Sequence, residues 1–376
     1  MTLSESPAGE GHDRIGAVAH GPGAVVGAVG VGAGLTRSVV TEPVAAVADG
    51  VRFESAIEAL DAARSATIVC HVQPDADTIG SGLALALVLE RRGIPVRVSF
   101  AEPAELPLSM HTLPGLRHLV PPDAVPAETD LLIAVDCGSA GRLGALASRL
   151  SGAATTLVID HHRSNTGFGT VGVIDPEAES TTAVIARLLD AWGEPIDAEV
   201  AHCLYAGLVT DTGSFRWVRP GTHALAERLL ATGIDGPEIA RTLLDTHPFA
   251  WLPMLANVLG TARLEPAVRG GTGLAYVFVR RSDEIGVGSE EIESVIDIVR
   301  TTAEAGIAAV FKESRTIDDR WTVSLRSRDS GPGMRDGIDV AEVATALGGG
   351  GHRYAAGYTT YGTPDDIVAA LLAALG

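Results

Sequence analysis

Cysteine is scarce in this chain of 376 residues, which contains three: Cys70, Cys137 and Cys203. They lie far apart and form no CxxC pair, which excludes a disulfide framework and a thiolate zinc site and fits a reducing cytosol. Long hydrophobic runs are also absent, because the apolar stretch at 23–35 is rich in glycine and too short to span a bilayer. The first residues lack the basic region of a signal peptide. We therefore expect a cytoplasmic protein with no membrane anchor.

Basic residues are few, since 28 Lys and Arg stand against 47 Asp and Glu for a formal net charge of -19. So acidic a chain is a poor candidate for coating long DNA or RNA, because that mode of binding requires a basic face that neutralises phosphates. The negative net charge does not exclude the binding of a short nucleotide at a local site. The hydrophobic share of 46% excludes a wholly disordered chain. The length predicts two or three domains at about 150 residues each.

Apolar runs alternate with amphipathic segments after residue 50, whereas residues 1–50 are biased to Gly, Ala and Val. We expect residues 1–50 to be a disordered extension. The alternation of strands and helices predicts βαβ units around a mainly parallel sheet. Strands are predicted at 66–71, 96–100, 131–136, 156–160 and 205–211, and helices at 80–93 and 180–193.

A second pattern begins near residue 263, after a segment at 244–262 that we predict to be a linker helix. Its strands are predicted at 273–280, 306–312, 321–327 and 354–361, and its helices at 288–301, 338–346 and 364–375. The predicted fold class is therefore α/β, with a larger domain at 51–243 and a smaller α/β domain at 263–376. Helices flank the mainly parallel sheet of the larger domain, and we expect the active site in the cleft between the domains.

Histidine and aspartate residues end, or directly follow, four of the predicted strands. They are His71, Asp75 and Asp77 in HVQPDADTIGS, Asp136 in AVDCGS, Asp160, His161 and His162 in VIDHHRSN, and Asp211 in LVTDTGSF. The carboxyl ends of parallel strands share one edge of a sheet, so residues spread over about 140 positions would converge on one site. Crowded carboxylates repel one another, and a bound cation relieves that repulsion.

The donor atoms of this set are carboxylate oxygens and imidazole nitrogens, without a thiolate. This mixture favours Mn²⁺ over a structural zinc, with Mg²⁺, Co²⁺ and Fe²⁺ as alternatives. The set is too large for one ion and is typical of the two-metal sites that hydrolyse phosphate esters. A single aspartate at a strand end more often caps a helix, and a single histidine is more often structural. The recurrence at four strand ends is what favours the metal site.

The motifs HVQPDAD, VD, DHH and TDTG occur in this order, and with them the chain resembles the DHH phosphoesterase superfamily, named for the triplet that is Asp160-His161-His162 here. The segment GGGGHRYAAG (348–357), preceded by VSLRSR (323–328), is similar to the GGGH motif of a DHH-associated domain. The resemblance covers residues 52–376. Within the superfamily it is strongest to the NrnA-type bifunctional oligoribonucleases and phosphatases of 3'-phosphoadenosine-5'-phosphate (pAp).

This resemblance implies the metal ligands and the catalytic residues. One metal ion would be held by His71, Asp75 and Asp136, and the other by Asp77, Asp136, His161 and Asp211, with Asp136 as the bridge. Asp160 would orient its neighbours. His162 would lie at the scissile phosphate, and Asn165 would either support its loop or reach the substrate.

The resemblance also implies substrate-binding residues in the second domain, where glycines allow backbone N–H groups to approach a phosphate or a base. These residues are Gly349, Gly350, Gly351, His352, Arg326, Ser324 and Arg328. Arg326 and His352 would supply hydrogen-bond donors. Ser324 and Arg328 share the strand face of Arg326 but are equally compatible with exposure to solvent. Taken alone, the glycine run would indicate a flexible turn after a helix.

The implied activity is that of a two-metal hydrolase that cleaves short oligoribonucleotides to 5'-mononucleotides and pAp to AMP and phosphate. The family also implies a homodimer. An alternative is a phosphodiesterase of cyclic di-AMP or of the linear dinucleotide pApA, and a distant alternative is a nucleotide-binding sensor without activity. A RecJ-like exonuclease is disfavoured, because the chain has no basic tract for a long strand. We expect neither long duplex nucleic acid nor a membrane as a partner.

Overall fold

Short aliphatic runs build the first sheet. The computed structural model describes residues 51–328 and 338–376, and the extension predicted at 1–50 lies outside this part of the chain. The strands are β1 (Ala66–Val69), β2 (Val96–Ser99), β3 (Thr129–Val135), β4 (Ala153–Asp160) and β5 (Val171–Ile174). They are parallel and lie in the order β2-β1-β3-β4-β5, which confirms the predicted parallel sheet. The strand β5 was not predicted.

Helical segments cover the two faces of this sheet. They are α1 (Glu54–Ala62), α2 (Ala76–Arg91), α3 (Thr181–Trp192), α4 (Ala198–Asp211), α5 (Thr222–Leu230) and α6 (Gly236–Leu244), with 3-10 segments at Leu108–Thr112, Leu116–His118, Pro122–Ala124 and Ala140–Gly152. Strand alternation directs Ile68, Ile133 and Ile159 into a core shared with α2, α3 and α4. Val69 and Leu132 point to the opposite face and pack in a smaller core with residues of the last 3-10 segment.

The segment 205–211 was predicted to be a buried strand, and this prediction is wrong because it forms the second half of α4. The helix α4 packs along α2 and also contacts α3, α5 and α6, so residues on most of its sides are buried. A helix that is apolar nearly all round shows no 3.6-residue periodicity, which explains why a strand was predicted. Its first turn is fixed by Asp197, whose carboxylate accepts a hydrogen bond from the Val200 N–H.

The linker helix is shorter than the predicted 244–262. It is α7 (Trp251–Gly260), and the preceding residues from Asp245 are not helical. Pro248 disfavours the helical conformation at the residue before it, which places the break ahead of α7. Pro253 lies in the first turn of α7, where its missing N–H would have no intrahelical partner.

A second, mixed sheet follows the linker. Its elements are β6 (Arg263–Glu265), β7 (Leu274–Val279), α8 (Ser289–Val299), β8 (Ile307–Glu313), β9 (Arg320–Ser327), α9 (Val340–Ala346), β10 (Gly350–His352), β11 (Ala355–Tyr361) and α10 (Pro364–Leu375), with 3-10 segments at Val268–Gly270 and Arg281–Glu284. The described strands lie in the order β10-β11-β9-β8-β7-β6, and the β7–β8 pair is parallel. Val310 faces a core with α7 and α8, whereas Phe311 faces a core with α9 and α10.

The predicted α/β class with two sheets is confirmed. The glycine run that in isolation indicated a turn is partly a strand, since Gly350–His352 pairs with β11 as β10. Cys70, Cys137 and Cys203 are buried free thiols. Among the residues that the structure describes, no helix combines the length and the apolarity needed to cross a membrane.

Candidate active site

Five segments bring histidine and aspartate side chains to the carboxyl edge of the first sheet. His71 follows β1, Asp136 follows β3, and Asp160 is the last residue of β4. The loop after β1 leads into α2, where Asp75 is the N-cap and Asp77 lies in the first turn. The remaining carboxylate belongs to Asp211, which is the C-terminal residue of α4 and does not lie at a strand end.

His71, Asp75 and Asp136 form one group. Nε2 of His71 lies 3.4 Å from a carboxylate oxygen of Asp75 and 3.3 Å from one of Asp136. Nδ1 of the same ring lies 2.9 Å from the Val72 carbonyl oxygen, to which it can donate, so Nε2 faces the carboxylates. Burial by itself lowers the pKa of His71, but the Asp75 and Asp136 carboxylates outweigh burial and raise the pKa to about 10.

Asp136 lies at the centre of the site and has a left-handed backbone, with φ of 60°. Aspartate is one of the residues that tolerate this conformation, which recurs at functional sites. One of its carboxylate oxygens accepts a hydrogen bond of 2.8 Å from the Thr181 hydroxyl. Burial raises its pKa, yet the hydrogen bond from His71 and the nearby imidazoles of His162 and His161 prevail and hold the pKa well below its usual range.

Asp77 is fully buried and is bound by the N-terminus of α3. Its carboxylate accepts hydrogen bonds from the Thr181 N–H at 2.6 Å, the Thr182 N–H at 2.9 Å and the Thr182 hydroxyl at 2.8 Å. The N–H groups of a first helical turn are natural partners of an anion. Burial and the neighbouring Asp136 nevertheless raise the pKa of Asp77 to about 7.

His161 connects Asp136 to the carboxylate at the end of α4. Its Nε2 lies 3.6 Å from an oxygen of Asp136 and 3.3 Å from an oxygen of Asp211. Burial, followed by the charges of Asp77 and Asp75, raises the pKa of Asp211 well above its usual value. Buried carboxylates with raised pKa values are the condition that a divalent cation would relieve.

Gly207 of α4 keeps the space beside Asp77 open. A Cβ atom at this position would lie 2.4 Å from an oxygen of Asp77 and 2.6 Å from the side chain of Thr182. We expect Gly207→Ala to lower the free energy of unfolding by about 1–3 kcal/mol, because the packed helices must shift. Denaturant unfolding measures this change. Gly260→Ala is the matched control, since a Cβ on this helical glycine would meet no atom within 4 Å; equal stability of the two variants would contradict the prediction.

Asp160 binds its own loop. Its side chain is fully buried, and one oxygen lies 2.7 Å from Nδ1 of His162 while also accepting the His161 N–H at 2.9 Å. The Asn165 amide donates to the other oxygen at 2.6 Å and lies 3.1 Å from the Cys137 carbonyl oxygen. Of the two roles considered for Asn165, the structure therefore shows support of the loop.

The geometry of these groups fits divalent cations. Three groups place one donor atom per residue within 4.8 Å of one another: His71 with Asp75 and Asp136, Asp77 with His161 and Asp211, and Asp136 with His161 and His162. Asp136 and His161 each belong to two groups, so the groups adjoin one another. The donors are carboxylates and imidazoles, a mixture suited to Mn²⁺ and related ions.

A cleft of about 2270 Å³ runs from this centre to the second sheet. His71, Asp75, His162 and Asp211 line it on one side, and residues of α8, β8, β9 and β11 line it on the other. Side chains of the two walls contact each other across the cleft. The Ser109 hydroxyl donates to the Glu290 carboxylate, and the Arg300 guanidinium lies 4.4 Å from the ring centroid of Trp217.

The predicted substrate residues divide into two sets. Ser324, Arg326 and the glycines 349–351 line the cleft. Burial lowers the pKa of the Arg326 guanidinium. Arg328 instead donates to the Arg300 carbonyl oxygen at 3.0 Å and to that of Thr302, so it binds the chain after α8 and not the cleft. The side chain of His352 lies outside the described part of the structure.

Several residues of the site were not predicted. Thr181 and Thr182 follow the helix cap Ser180 and hold Asp77 and Asp136, and the only sequence signal for them is the capping serine ahead of α3. Arg142 lines the cleft, and its guanidinium lies 3.0 Å from Nδ1 of His71. No spacing in the sequence links these residues to the motifs.

Comparison with known proteins agrees with this architecture. Residues 65–208 match the model of the DHH family N-terminal domain, and residues 271–375 match the DHHA1 domain. The bifunctional oligoribonuclease and PAP phosphatase NrnA of Thermus thermophilus is 29% identical over 312 residues, covering 78% of this chain and 84% of the relative. The NrnA protein of Bacillus subtilis with the same description is 25% identical over 301 residues, covering 77% and 88%.

A solved structure has the same fold. The exopolyphosphatase-related protein of Bacteroides fragilis superposes with a TM-score of 0.76 at 23% identity, covering 88% of this chain and 97% of its own. The two matched domain ranges cover about two thirds of the chain and contain the ends of β1, β3 and β4 as well as the glycine run. The predicted family is thereby confirmed. The chain belongs to the DHH family and combines its N-terminal domain with a DHHA1 domain.

Proposed function

We propose that this protein is a metal-dependent phosphoesterase that hydrolyses short oligoribonucleotides to 5'-mononucleotides and converts pAp to AMP and phosphate. The observation that supports this best is the convergence of His71, Asp75, Asp77, Asp136, His161 and Asp211 into adjoining groups at one end of a cleft. Relatives from Thermus thermophilus and Bacillus subtilis described as oligoribonuclease and PAP phosphatase favour these substrates.

In this proposal two divalent cations, Mn²⁺ in preference to Mg²⁺, Co²⁺ or Fe²⁺, bind the two predicted ligand sets. His71, Asp75 and Asp136 hold one ion, and Asp77, Asp136, His161 and Asp211 hold the other. When bound, such ions supply Lewis-acid chemistry and offset negative charge at a phosphate. The carboxylates contribute the charge that retains them, and Thr181 and Thr182 fix two of the carboxylates in orientation.

His162 is the proposed catalytic residue at the scissile phosphate. Its Nδ1 lies 2.7 Å from Asp160, a contact that orients the ring, and in this proposal Nε2, on the opposite side of the ring, donates to a phosphate oxygen. His162 also lines the cleft. Burial lowers the pKa of His162, but the hydrogen bond to Asp160 and the nearby carboxylate charges together outweigh burial, so the net shift is upward. The ring therefore stays protonated at higher pH and can donate.

A second candidate substrate class is a cyclic or linear dinucleotide, such as cyclic di-AMP or pApA. The cleft has room for two nucleotides, because about 2270 Å³ exceeds the roughly 300–1,000 Å³ that small-ligand sites occupy. The same metal site would serve both classes. The contacts Ser109–Glu290 and Trp217–Arg300 bridge the two walls of the cleft, which favours short chains over long strands.

The test is a side-by-side kinetic comparison. Purified protein with Mn²⁺ is given pAp, a two- to five-residue RNA, pApA and cyclic di-AMP, and phosphate and nucleotide release are measured. Turnover of pAp and short RNA that is lost on chelation supports the proposal. Turnover of dinucleotides alone supports the second candidate. Stoichiometric nucleotide binding without hydrolysis of any substrate contradicts both and favours a sensor.

We also propose that the enzyme works in the cytoplasm as a homodimer. The buried free thiols of the three cysteines support a reducing compartment. The dimer is proposed from the family resemblance, and light scattering of the purified protein tests it.

A further inference from the structure

The 28 basic residues of this chain include one lysine, Lys312. It lies near the end of β8, it is 7% exposed, and it lines the cleft. Everywhere else the chain uses arginine for positive charge. A lysine presents a compact point charge with three donors, which suits a phosphate oxygen approached from several directions, whereas arginine requires a planar, two-point geometry.

The strand register places Lys312 on the substrate side of the second sheet. In the antiparallel β8–β9 pair, Lys312 is opposite Thr322, and Ala308 is opposite Arg326. Opposite residues share a face, so Lys312 and Arg326 point to the same side. Ala308 on this face is covered by α8, whereas Thr322, Ser324 and Arg326 line the cleft. Lys312 therefore marks the border at which α8 stops covering the sheet.

Two side chains hold the ammonium group. Nζ of Lys312 donates to the Ser324 hydroxyl at 2.8 Å and to the Glu293 carboxylate. The Glu293 side chain is 58% exposed, while that of Lys312 is 9% exposed. The serine contact thus fixes the ammonium on the sheet, whereas the carboxylate projects from α8 into solvent and can leave.

The helix α8 presents a stripe of carboxylates to the cleft, formed by Glu290, Glu293 and Asp297. A phosphate that enters beside this stripe is repelled by the carboxylates, because both carry negative charge. The repulsion is offset if a cation that was paired with a carboxylate pairs with the phosphate instead. Glu293 and a phosphate oxygen are alternative partners of the same ammonium. The carboxylate occupies the place that an anion of the substrate would take.

We propose that Lys312 binds the non-scissile phosphate of the substrate, the 5'-phosphate in pAp, by exchanging its Glu293 partner for a phosphate oxygen. This inference rests on the proposed function, which puts the scissile phosphate at the metal ligands of the first domain. Lys312 lies on the opposite wall, so it meets the phosphate at the other end of the nucleotide. Glu293 then acts as a competitor that weakens the binding of the substrate.

The experiment compares pAp with 3'-AMP, which lacks the 5'-phosphate, in the full-length protein with Mn²⁺. We expect Lys312→Met to lower kcat/KM for pAp by about 10- to 100-fold, the loss of one charge-assisted contact, and that for 3'-AMP by about threefold or less. Lys312→Arg should recover part of the loss. Arg269→Met is the control, because it removes one positive charge from an exposed position of the same domain that does not line the cleft.

Glu293→Gln gives an independent readout of opposite sign. If Lys312 and Glu293 form only a structural ion pair, either substitution damages activity in the same direction. If they compete as proposed, Glu293→Gln lowers KM for pAp by about 3- to 10-fold. This variant decides the question even where Lys312→Met does not fold.

The outcomes separate the inference from the function on which it rests. A wild-type protein that does not hydrolyse pAp contradicts the proposed function. An active wild type with equal losses for pAp and 3'-AMP in Lys312→Met, or with a raised or unchanged KM in Glu293→Gln, overturns the role of Lys312. A loss confined to pAp together with a lowered KM supports it.

Discussion

Asp136→Asn is expected to lower kcat/KM for pAp by at least about 10³-fold while the protein stays folded. Asp136 is shared by two of the three donor groups, so loss of its charge weakens both proposed ion sites at once. Asparagine also tolerates the left-handed backbone at this position and can still accept the hydrogen bond from Thr181. The substitution therefore removes the charge and retains the shape.

Two measurements accompany the kinetics of Asp136→Asn. Mass spectrometry of metal content should show a loss of bound Mn²⁺. Thermal unfolding without metal should stay cooperative but with a lower midpoint than that of the wild type, because the hydrogen bond from His71 and the nearby imidazoles stabilise the carboxylate charge that the substitution removes. Asp130→Asn is the control from β3, the strand that precedes Asp136, since Asp130 forms a partly exposed ion pair with Arg64. We expect it to change kcat/KM by about twofold or less. Turnover of Asp136→Asn within tenfold of wild type would contradict the metal assignment.

The ends of β1, β3 and β4 were predictable because strand ends in a parallel sheet must meet at one edge. A buried strand needs only a short aliphatic run, and the polar residue after it is visible in the sequence. His71, Asp136 and Asp160 therefore came together as expected. Their roles as ligands or orienting groups stay a proposal, which Asp136→Asn and Asp160→Asn test.

Asp211 was predicted to belong to the same group, but it was assigned to the end of a strand, and that element was wrong. The run before it is apolar because α4 is enclosed by other helices, and enclosure removes the one-sided pattern by which a helix is recognised. The C-terminus of α4 still delivers Asp211 to the cluster, 3.3 Å from His161. A motif such as TDTG predicts a position in the site more reliably than it predicts the secondary structure that supports it.

The contacts of Asp77 and Lys312 could not be predicted, because they join segments that are distant in sequence. The hydrogen bonds from Thr181 and Thr182 to Asp77 link residues more than 100 positions apart. The pairing of Lys312 with Glu293 and Ser324 requires both the β8–β9 register and the position of α8. Composition showed that lysine is rare, but only the packing shows that this lysine lines the cleft.

Asp160→Asn is expected to lower kcat for pAp by about 10²- to 10⁴-fold with little change in KM or in metal content. Asp160 is a positioning residue in the proposed mechanism, because its oxygen lies 2.7 Å from Nδ1 of His162 and it is completely buried. The asparagine amide that replaces the carboxylate can turn its N–H₂ group toward Nδ1 of His162. The neutral ring would then carry its proton on Nε2 and not on Nδ1, and the imidazole would be less basic. The substitution also removes the charge that raises the pKa of His162.

The retained metal content is what separates this variant from Asp136→Asn. Both substitutions should abolish most turnover, yet only the one in the shared ligand should release Mn²⁺, because Asp160 faces Asn165 and His162 and belongs to none of the three donor groups. Glu177→Gln is the nearby control: Glu177 is an exposed carboxylate that pairs with Arg163 and Arg219 beside the same loop, and we expect a change of about twofold or less. A loss of metal in Asp160→Asn would make Asp160 a metal ligand, and a rise in KM in proportion to the loss of kcat/KM would make it a substrate-binding group. Either result would contradict the roles proposed for the residues of the DHH triplet.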